Sequence, residues 1–564
     1  MAALGSIAFA VIFCLPILRH LTYGDIPQYT MNDWDFSMEL QWVALHSVTF
    51  FHQFPLWDPY KCGGMPALGN PQSGAFTPFF FLEVLFGPMA GIRLSIPFHI
   101  AFAFGGAYFL ARIAGISKLG AVACAGAFAG SSWHYLHIEI GHIVILPGTY
   151  IPWPVALYCY SVERRRVWPA ALAGITIALM ITEGGAHPAL WSGMMLTVLA
   201  SILALRRRSI FPLVALAAAG LFAGCFAAVK LLPGLEFTGI YARVESPYEV
   251  HELKYVIHEL FSRAQIPTKS VPGLQWGFYE YGAYIGVWFG LLALVGIIFD
   301  FRRTWQWLIL SLVLLAMTVG YFGPISPWYL VHKVPFYTSL REPWRWLAPT
   351  TLALSVLAGF GVDRILAIKA RWAGLFTAGI VALALADGWF ISTPYLHFVV
   401  EGIDPPMHVS TVFRQSTNPG LGAHMYMSAR SNLGVLRCYE VPNMVPPVNA
   451  SGFEEVAYRG EQYLLGPGTV KLVQWSPNAL SFAVDTPSAT AMVVNQNYNS
   501  NWRLVEGRGV VSSQNGLLSV LIPSGKQTLK LVYRNAAFWM GLSISTGAFI
   551  AMLLLCFWES RRPI

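Results

Sequence analysis

Charged residues are scarce in this sequence. Only 11% of its 564 residues are Asp, Glu, Lys or Arg, whereas a soluble domain typically has about 25%. Hydrophobic residues make up 55% of the chain, and the mean hydropathy is +0.54. This composition excludes an ordinary soluble protein and predicts an integral membrane protein surrounded by membrane lipids.

Cysteine is also rare, and none of the 7 cysteines has the spacing of a metal-binding motif. Most of them lie in or beside apolar runs, which is typical of core packing. Cys62 and Cys438 lie in polar segments predicted on one side of the membrane, so a disulfide between them stays open. The net charge of +8 comes from short basic clusters between apolar runs. That pattern indicates topology signals, so no nucleic-acid partner is predicted.

Apolar runs recur along the whole chain. A membrane-spanning helix needs about 17–25 residues, and only a helix or a closed barrel satisfies its backbone hydrogen bonds in hydrocarbon. The sequence therefore predicts about twelve transmembrane helices. They lie near residues 3–21, 94–112, 119–133, 142–160, 168–182, 188–205, 210–231, 282–299, 305–321, 344–362, 372–390 and 537–557.

The basic clusters predict the orientation of the chain. With this number of helices they all fall on one side, which the positive-inside rule assigns to the cytoplasm, together with both termini. Segment 76–88 would break this parity if it crossed the membrane; it is short, contains Glu83 and is predicted to lie flat in the interface. The first apolar run lacks a charged start and a cleavage site, so we expect a retained helix rather than a signal peptide.

Three regions follow from this topology. Residues 1–391 are predicted to form an all-α transmembrane bundle whose external loop, 22–93, carries several acids. Residues 392–536 are soluble in character, and residues 517–534 alternate apolar and polar side chains, which predicts a β-rich extracytoplasmic domain. Residues 537–564 would be a last transmembrane helix and a cytoplasmic tail. Because the elaborate polar segments face outward, away from ATP and sugar nucleotides, a substrate must be delivered by the membrane itself, for instance on a lipid carrier.

Five segments carry a resemblance to a known family. They read FPLWDPYKCGGMPALGNPQSGAFTPFFFLEVLFG, VKLLPGLEFTG, YEYGAYIGVWFGLLALVG, VPFYTSLREPWRWLAPTTLALSVLAGFGVDRI and VVNQNYNSNWRLVEG followed by VLIPSGKQTLKLVYR. In this order they resemble the bacterial YfhO-type membrane proteins, a branch of the GT-C glycosyltransferase superfamily. The resemblance implies a sugar transfer from a polyprenyl-phosphate donor to an envelope glycan or lipid acceptor at the outer face of the bacterial cytoplasmic membrane.

The acids of the first external loop are the candidate catalytic groups. Such a transfer needs a carboxylate to take the proton of the acceptor hydroxyl and cations to hold the leaving phosphate. By the resemblance, Asp33 matches the family's loop acid, with Asp35 as the alternative if the register slips by two. A structural reading stays open, in which these acids only cap an interfacial helix. The stereochemical outcome is open as well, since an aspartate can act as base or nucleophile.

Arg341 and Arg345 are the candidate phosphate clamp. They lie four residues apart at the predicted outer start of a helix, so we expect them to share a face beside free backbone amides. Lys61 is a further donor-binding candidate, with Lys230 and Lys333 as weaker alternates. Arg341 pairing with the adjacent Glu342, or snorkelling at the membrane surface, is the structural alternative.

The segment HYLHIEIGH places four ionisable side chains in one short outer loop, namely His134, His137, Glu139 and His142. They are candidates for acceptor or cavity contacts. A divalent metal such as Mg²⁺ or Mn²⁺ is a further option, although the spacing matches no standard zinc pattern and the metal ligands remain unknown.

Three other ionisable residues belong to the same cavity-lining group. Glu183 and His187 flank two glycines in TEGGAHPAL, and Glu280 precedes a predicted helix. An ionisable side chain near membrane depth is a functional candidate by default.

Two other classes of protein fit part of the pattern. A transporter or lipid-carrier flippase explains the helices and the buried polar residues, but it predicts paired halves, and no internal symmetry is visible. A non-enzymatic envelope-assembly protein explains the external domain but leaves the loop acids and the arginine pair without a role.

Overall fold

The computed structural model describes residues 2–19, 21, 33–241, 244–271, 273–335, 337–368, 372–394, 396, 412–416, 425–436 and 458–561. Helices dominate up to residue 394, strands dominate from 458 to 533, and one long helix follows. Cys438 and most of residues 405–455 lie outside the described residues. Cys62 is buried and disulfide-bonded.

The first half of the described chain is helical, with a 3₁₀ helix at Ile143–Tyr150. Its α-helices are α1 (Ala2–Phe13), α2 (Leu15–Leu18), α3 (Trp34–Thr49), α4 (Phe80–Phe86), α5 (Pro88–Ile113), α6 (Lys118–Ala129), α7 (Ser132–Glu139), α8 (Pro152–Arg164), α9 (Trp168–Thr182), α10 (Ala186–Arg207), α11 (Phe211–Phe226) and α12 (Ala228–Ile240).

The second half has further helices and a second 3₁₀ helix at Pro343–Trp346. These α-helices are α13 (Leu253–Phe261), α14 (Phe278–Tyr281), α15 (Val287–Phe299), α16 (Phe301–Val319), α17 (Pro327–Val331), α18 (Leu347–Leu366), α19 (Ala373–Ser392), α20 (Met425–Arg430) and α21 (Ala536–Ser560).

Among the described residues, 6 helical segments are long and apolar enough to cross a membrane, or up to 7 if α11 and α12, which meet at 76°, form one bent span. The six are Pro88–Ile113, Ile143–Arg164, Ala186–Arg207, Pro343–Leu366, Ala373–Ser392 and Ala536–Glu559. These segments are consistent with a multi-pass membrane protein. The prediction of about twelve spans is not confirmed: α1, α9 and α15 are apolar but have 12 to 15 residues, and a helix of that length covers only about 18–23 Å.

Glycines set the closest helix packing in the bundle. A Cβ on Gly361 of α18 would lie 1.8 Å from the carbonyl oxygen of Leu292 in α15, and one on Gly296 would lie 2.4 Å from that of Leu357. Small residues let helix backbones approach this closely, a common device in membrane bundles. The α15–α18 contact therefore fixes α18, whose N-terminal side carries the arginines of the candidate site.

The strands from β5 onward confirm the predicted C-terminal β-rich region. They form two antiparallel four-stranded sheets, ordered β10-β11-β8-β5 and β6-β7-β12-β9, while β1 and β2 form one short pair and β3 and β4 another. The strands are β1 (Trp57–Asp58), β2 (Met65–Pro66), β3 (Arg414–Ser416), β4 (Leu433–Val435), β5 (Gln462–Leu464), β6 (Thr469–Ser476), β7 (Ala479–Thr486), β8 (Thr490–Asn497), β9 (Trp502–Glu506), β10 (Val510–Gln514), β11 (Leu517–Ile522) and β12 (Gly525–Tyr533).

The loop between α3 and α4 packs against this β region. The ring of Trp57 packs against Trp502 and Tyr533, with ring centroids 5.6 and 5.0 Å apart. The Trp57 backbone N–H donates to Asn478 (3.0 Å), and its indole Nε1–H donates to Gln496 (3.0 Å). The loop and the β sheets therefore share one hydrophobic core.

Candidate functional site

The start of α3 is docked onto the turn that follows α7. Gly141 has a φ of +86°, and a Cβ there would lie 2.3 Å from the backbone nitrogen of Trp34. The Trp34 indole N–H donates to the Glu139 carbonyl oxygen (2.9 Å), and the Ser37 hydroxyl donates to the Gly141 carbonyl oxygen (2.8 Å). Glycine is required for this close approach, which brings the first loop acid beside the histidines of HYLHIEIGH.

Asp33 lies at the N-cap position of α3, but its side chain makes no capping hydrogen bond to the described helix. Its Oδ2 atom instead lies 2.9 Å from Nε2 of His142, and the side chain is 29% exposed. The capping alternative therefore does not describe this residue. The carboxylate of Asp33 is therefore held by an imidazole and is still partly open to solvent.

Asp35 has a different environment. It is buried, with a relative exposure of 1%, and accepts hydrogen bonds from the backbone N–H groups of Met425 (2.6 Å) and Tyr426 (3.1 Å). These are the first residues of α20, so Asp35 anchors a helix of the distant second half of the chain. Its carboxylate is committed to that structural contact.

His142 and His137 connect Asp33 to a second carboxylate. Their Nδ1 atoms lie 2.8 Å apart, and Nδ1 of His142 is 3.8 Å from Oε2 of Glu280. One possible ligand atom from each of these three residues lies within 4.8 Å of the others. Burial lowers the pKa of His137 well below its usual value, and the neighbouring His142 adds to this effect.

Arg345 forms the inner end of this network. Its Nε donates to Oε1 of Glu280 (2.6 Å), and its guanidinium also lies 2.6 Å from Oε2 of Glu342. Burial opposes ionisation of Glu280, but the charge of Arg345 outweighs it and holds the pKa of Glu280 well below its usual range. Burial raises the pKa of Glu342 to about 7, against the opposing effect of Arg345.

Arg341 lies outside the helix that was expected to contain it. The 3₁₀ helix begins at Pro343, and Glu342 before it has a φ of +62°. Arg341 and Arg345 therefore do not share a helical face, contrary to the expectation from their spacing. Arg341 pairs loosely with Glu342 (3.6 Å) and has a side chain that is 37% exposed, whereas Arg345 is enclosed by two carboxylates.

The candidate lysines have separate environments. Lys61 is fully buried, 3.4 Å from Oε2 of Glu39 and over the ring of Phe36. Lys230 is buried and donates to the carbonyl oxygen of Ser73. Lys333 lies over the ring of Tyr329. Lys61 and Lys230 are thus enclosed by structural contacts, whereas Lys333 is exposed and Arg341 is partly exposed.

The remaining candidates of HYLHIEIGH do not join the His137–His142 pair. His134 is buried against the rings of Phe128 and Trp133. Glu139 is buried, and its backbone carbonyl contacts α3 as described above. The four residues of the motif are thus divided between packing and the polar network.

Glu183 belongs to a second polar cluster. Its Oε1 lies 2.7 Å from Nε2 of His99, and its Oε2 accepts from the hydroxyl of Tyr150 (2.8 Å). Neither of these partners was singled out from the sequence, although a histidine within the apolar run 94–112 is a recognisable signal. Nearby, burial and the charge of Glu183 raise the pKa of Glu83. His187 is half-buried, with its ring 5.9 Å from that of Trp191.

Comparisons with known proteins add little to this geometry. No family model and no curated protein matches the sequence, so the resemblance to YfhO-type proteins is not confirmed. Two cryo-EM structures of the arabinofuranosyltransferase AftD from mycobacteria, the second a mutant, are similar to part of the chain. They show 17% and 15% identity over 70% and 68% of this chain, with TM-scores of 0.41 and 0.38. In both cases the match covers 27% of the AftD chain.

Proposed function

We propose that this chain is a GT-C-type membrane glycosyltransferase, which moves a sugar from a polyprenyl-phosphate donor to an envelope glycan or lipid acceptor. The proposal places the reaction at the extracytoplasmic face of a bacterial cytoplasmic membrane, with both termini in the cytoplasm. It is carried by one observation: the carboxylate of Asp33 is partly exposed and lies 2.9 Å from Nε2 of His142.

Asp33 would act as the base. As the acceptor oxygen forms its bond to the anomeric carbon, the acceptor's proton passes to the Asp33 carboxylate, and the bond from that carbon to the donor phosphate breaks. The electron pair leaves with the phosphate. His142 positions the carboxylate through the 2.9 Å contact. Direct displacement inverts the configuration, while an aspartate nucleophile would retain it through two steps.

Arg341 would hold the leaving phosphate. A guanidinium matches phosphate oxygens in charge and geometry, and Arg341 is the more exposed of the two arginines. Arg345 would have a positioning role, because its two carboxylate partners already neutralise it and it holds Glu280 beside the histidines.

A lipid-linked donor also needs an apolar surface. A cavity of about 510 Å³ lies between α3, the start of α5 and α20, lined by Leu21, Trp42, Leu45, Phe86, Met89 and Tyr426, with His46 and Arg430 among the polar lining residues. This volume is in the range of small-molecule sites. Because Pro88 begins a candidate membrane span, the cavity is suited to receive a lipid chain from the bilayer.

The test is sugar transfer by purified protein in detergent, with a panel of radiolabelled polyprenyl-phosphate sugars and envelope extract as acceptor. We expect Asp33→Asn to lower turnover by about 10²–10⁴-fold, the usual contribution of a general base, with donor binding retained. Arg341→Ala should weaken donor binding. Asp485→Asn, on an exposed pair in the β region, and Arg302→Ala are the matched controls.

Two results would contradict the proposal. If Asp33→Asn turns over like wild type, Asp33 is not the base. If wild type binds a donor but transfers sugar to no component of the extract, a lipid carrier or an assembly protein explains the chain better.

A further inference from the structure

We propose that His137, His142 and Glu280 bind a divalent transition-metal ion. This metal site goes beyond the transferase function, and metal binding would hold whether or not the chain transfers a sugar. The three residues come from α7, from the turn after it and from α14, which is well over a hundred positions further along the sequence. The fold alone brings them together.

The first support is the distance between the donor atoms. Each residue offers one possible ligand atom within 4.8 Å of the others, including the two Nδ1 atoms at 2.8 Å and Glu280 Oε2 at 3.8 Å from His142 Nδ1. Ligand atoms around a tetrahedral ion with bonds of about 2.1 Å lie about 3.4 Å apart. Small side-chain adjustments would therefore form a three-ligand site.

The second support is the shell around these residues. The other ring nitrogen of His142 faces Asp33 Oδ2 at 2.9 Å, which reproduces the carboxylate–histidine–metal arrangement that orients metal ligands in proteins. The other oxygen of Glu280 accepts from Arg345 Nε (2.6 Å) and from the Trp344 indole (3.2 Å). These contacts occupy His142 Nε2 and Glu280 Oε1. The remaining atoms, His142 Nδ1 and Glu280 Oε2, are directed to the proposed ion.

The third support is burial without full hydrogen bonding. His137 is only 2% exposed, and its Nε2 atom has no hydrogen-bond partner within the described part of the chain. Its ring is therefore held in place by one polar contact, the facing nitrogen of His142. Two imidazole nitrogens that face each other inside a protein form a natural pair of ligands for a soft or borderline cation.

The charges around the site favour a cation. Asp33, Glu280 and Glu342 surround it with carboxylates, while Arg345 and Arg341 are the guanidiniums that pair with them. Glu280 pairs with Arg345, and the Asp33 carboxylate adds a negative charge next to His142. Two imidazoles and one carboxylate favour Zn²⁺, Co²⁺ or Mn²⁺ over Ca²⁺ or Mg²⁺. Three protein ligands leave at least one position open for water or a phosphate oxygen.

The test measures metal binding by the purified full-length chain in detergent, without donor or acceptor. After removal of metal with a chelator, Zn²⁺ or Co²⁺ would be titrated and the bound ion measured by elemental analysis and by the Co²⁺ absorption spectrum. We expect one ion per chain in wild type. His137→Gln, His142→Gln and Glu280→Gln should each weaken binding at least tenfold, and Asp33→Asn about 10–100-fold through the orientation of His142.

The matched control is His99→Gln. His99 and Glu183 form another histidine–carboxylate pair, at 2.7 Å, in the second polar cluster, so this variant should bind the ion like wild type. Thermal unfolding with and without Zn²⁺ separates folding from binding: the ion should raise the unfolding temperature of wild type and His99→Gln but not of His142→Gln.

Two results would overturn the metal site: wild type without a stoichiometric ion, or ligand variants that bind the ion as wild type does. In either case the histidines would serve only as a hydrogen-bonded link between Asp33 and Glu280. If the protein binds the ion at these residues but transfers no sugar, the proposed transferase function is contradicted and the metal site is not.

Discussion

Two carboxylates in the first turn of α3 have opposite roles in the structure. Asp33 is partly exposed and paired with an imidazole, while Asp35 is buried against the backbone of α20. The sequence identified both residues but could not separate them, because Asp35's partners lie 390 and 391 positions away. A long-range contact of this kind leaves no local pattern around the acid.

At Asp35 we predict a loss of stability. In Asp35→Ala the N–H groups of Met425 and Tyr426 lose this acceptor, and each unmade buried hydrogen bond costs about 1–3 kcal/mol. The thermal unfolding temperature should therefore fall. It is measured in detergent from the loss of the folded peak in size-exclusion chromatography after heating. Asp485→Ala is the control, because an exposed pair contributes only about 0–1 kcal/mol. Equal unfolding temperatures would show that Asp35 does not anchor α20.

The candidate site was predictable in its residue types but not in its pairings. The loop acid, the histidine motif, Glu280 and the arginines are all recognisable as ionisable residues between the apolar runs of the sequence. Their partners were not, since Arg345 was expected to hold phosphate and instead binds Glu280 and Glu342. The prediction that Arg341 and Arg345 share a helical face is wrong, because Glu342 adopts a left-handed backbone conformation and the 3₁₀ helix begins only at Pro343.

Apolar runs predicted where helices occur better than where they end. The run 119–133 is divided into α6 and α7, since the Ser131 hydroxyl accepts from the Trp133 N–H and starts a new helix. The run 142–160 likewise contains a 3₁₀ helix with Pro147 inside it before α8 begins at Pro152. Hydropathy does not detect such caps. The alternation of apolar and polar residues in 517–534 correctly predicted strands, which are β11 and β12.

The close packing of α15 against α18 can be tested by substitution of a glycine. Gly361→Ala would place a methyl group 1.8 Å from the Leu292 carbonyl oxygen, so the two helices must separate and the protein should lose stability. Gly379→Ala in α19 is the control, because Gly379 has nothing within 4 Å, lies inside the helix and should gain up to about 1 kcal/mol from helix propensity. Thermal unfolding of both variants in detergent measures the difference, and a shift of the same sign in both would contradict the packing argument.

Across the whole molecule, the loop between α3 and α4 packs against the C-terminal β sheets. Trp57 is 1% exposed among side chains of the β sheets. We predict that Trp57→Ala destabilises the protein by about 3–5 kcal/mol through the cavity it leaves and makes the β region more sensitive to limited proteolysis. Trp539→Ala, at a side chain that is 52% exposed, should change little. Protease resistance equal to wild type would mean that the loop and the sheets fold independently.

The same contact has a consequence for biogenesis. Trp57 meets Asn478 across 421 positions of sequence, and ribosomes add about 5–20 residues per second. The loop therefore emerges about 20–80 s before its partner strands are made. Throughout that interval the Trp57 indole and its backbone N–H lack the partners that they have in the folded protein. We therefore expect the nascent chain to rely on other contacts for this loop, at the membrane surface or with a chaperone, until the final strands are made.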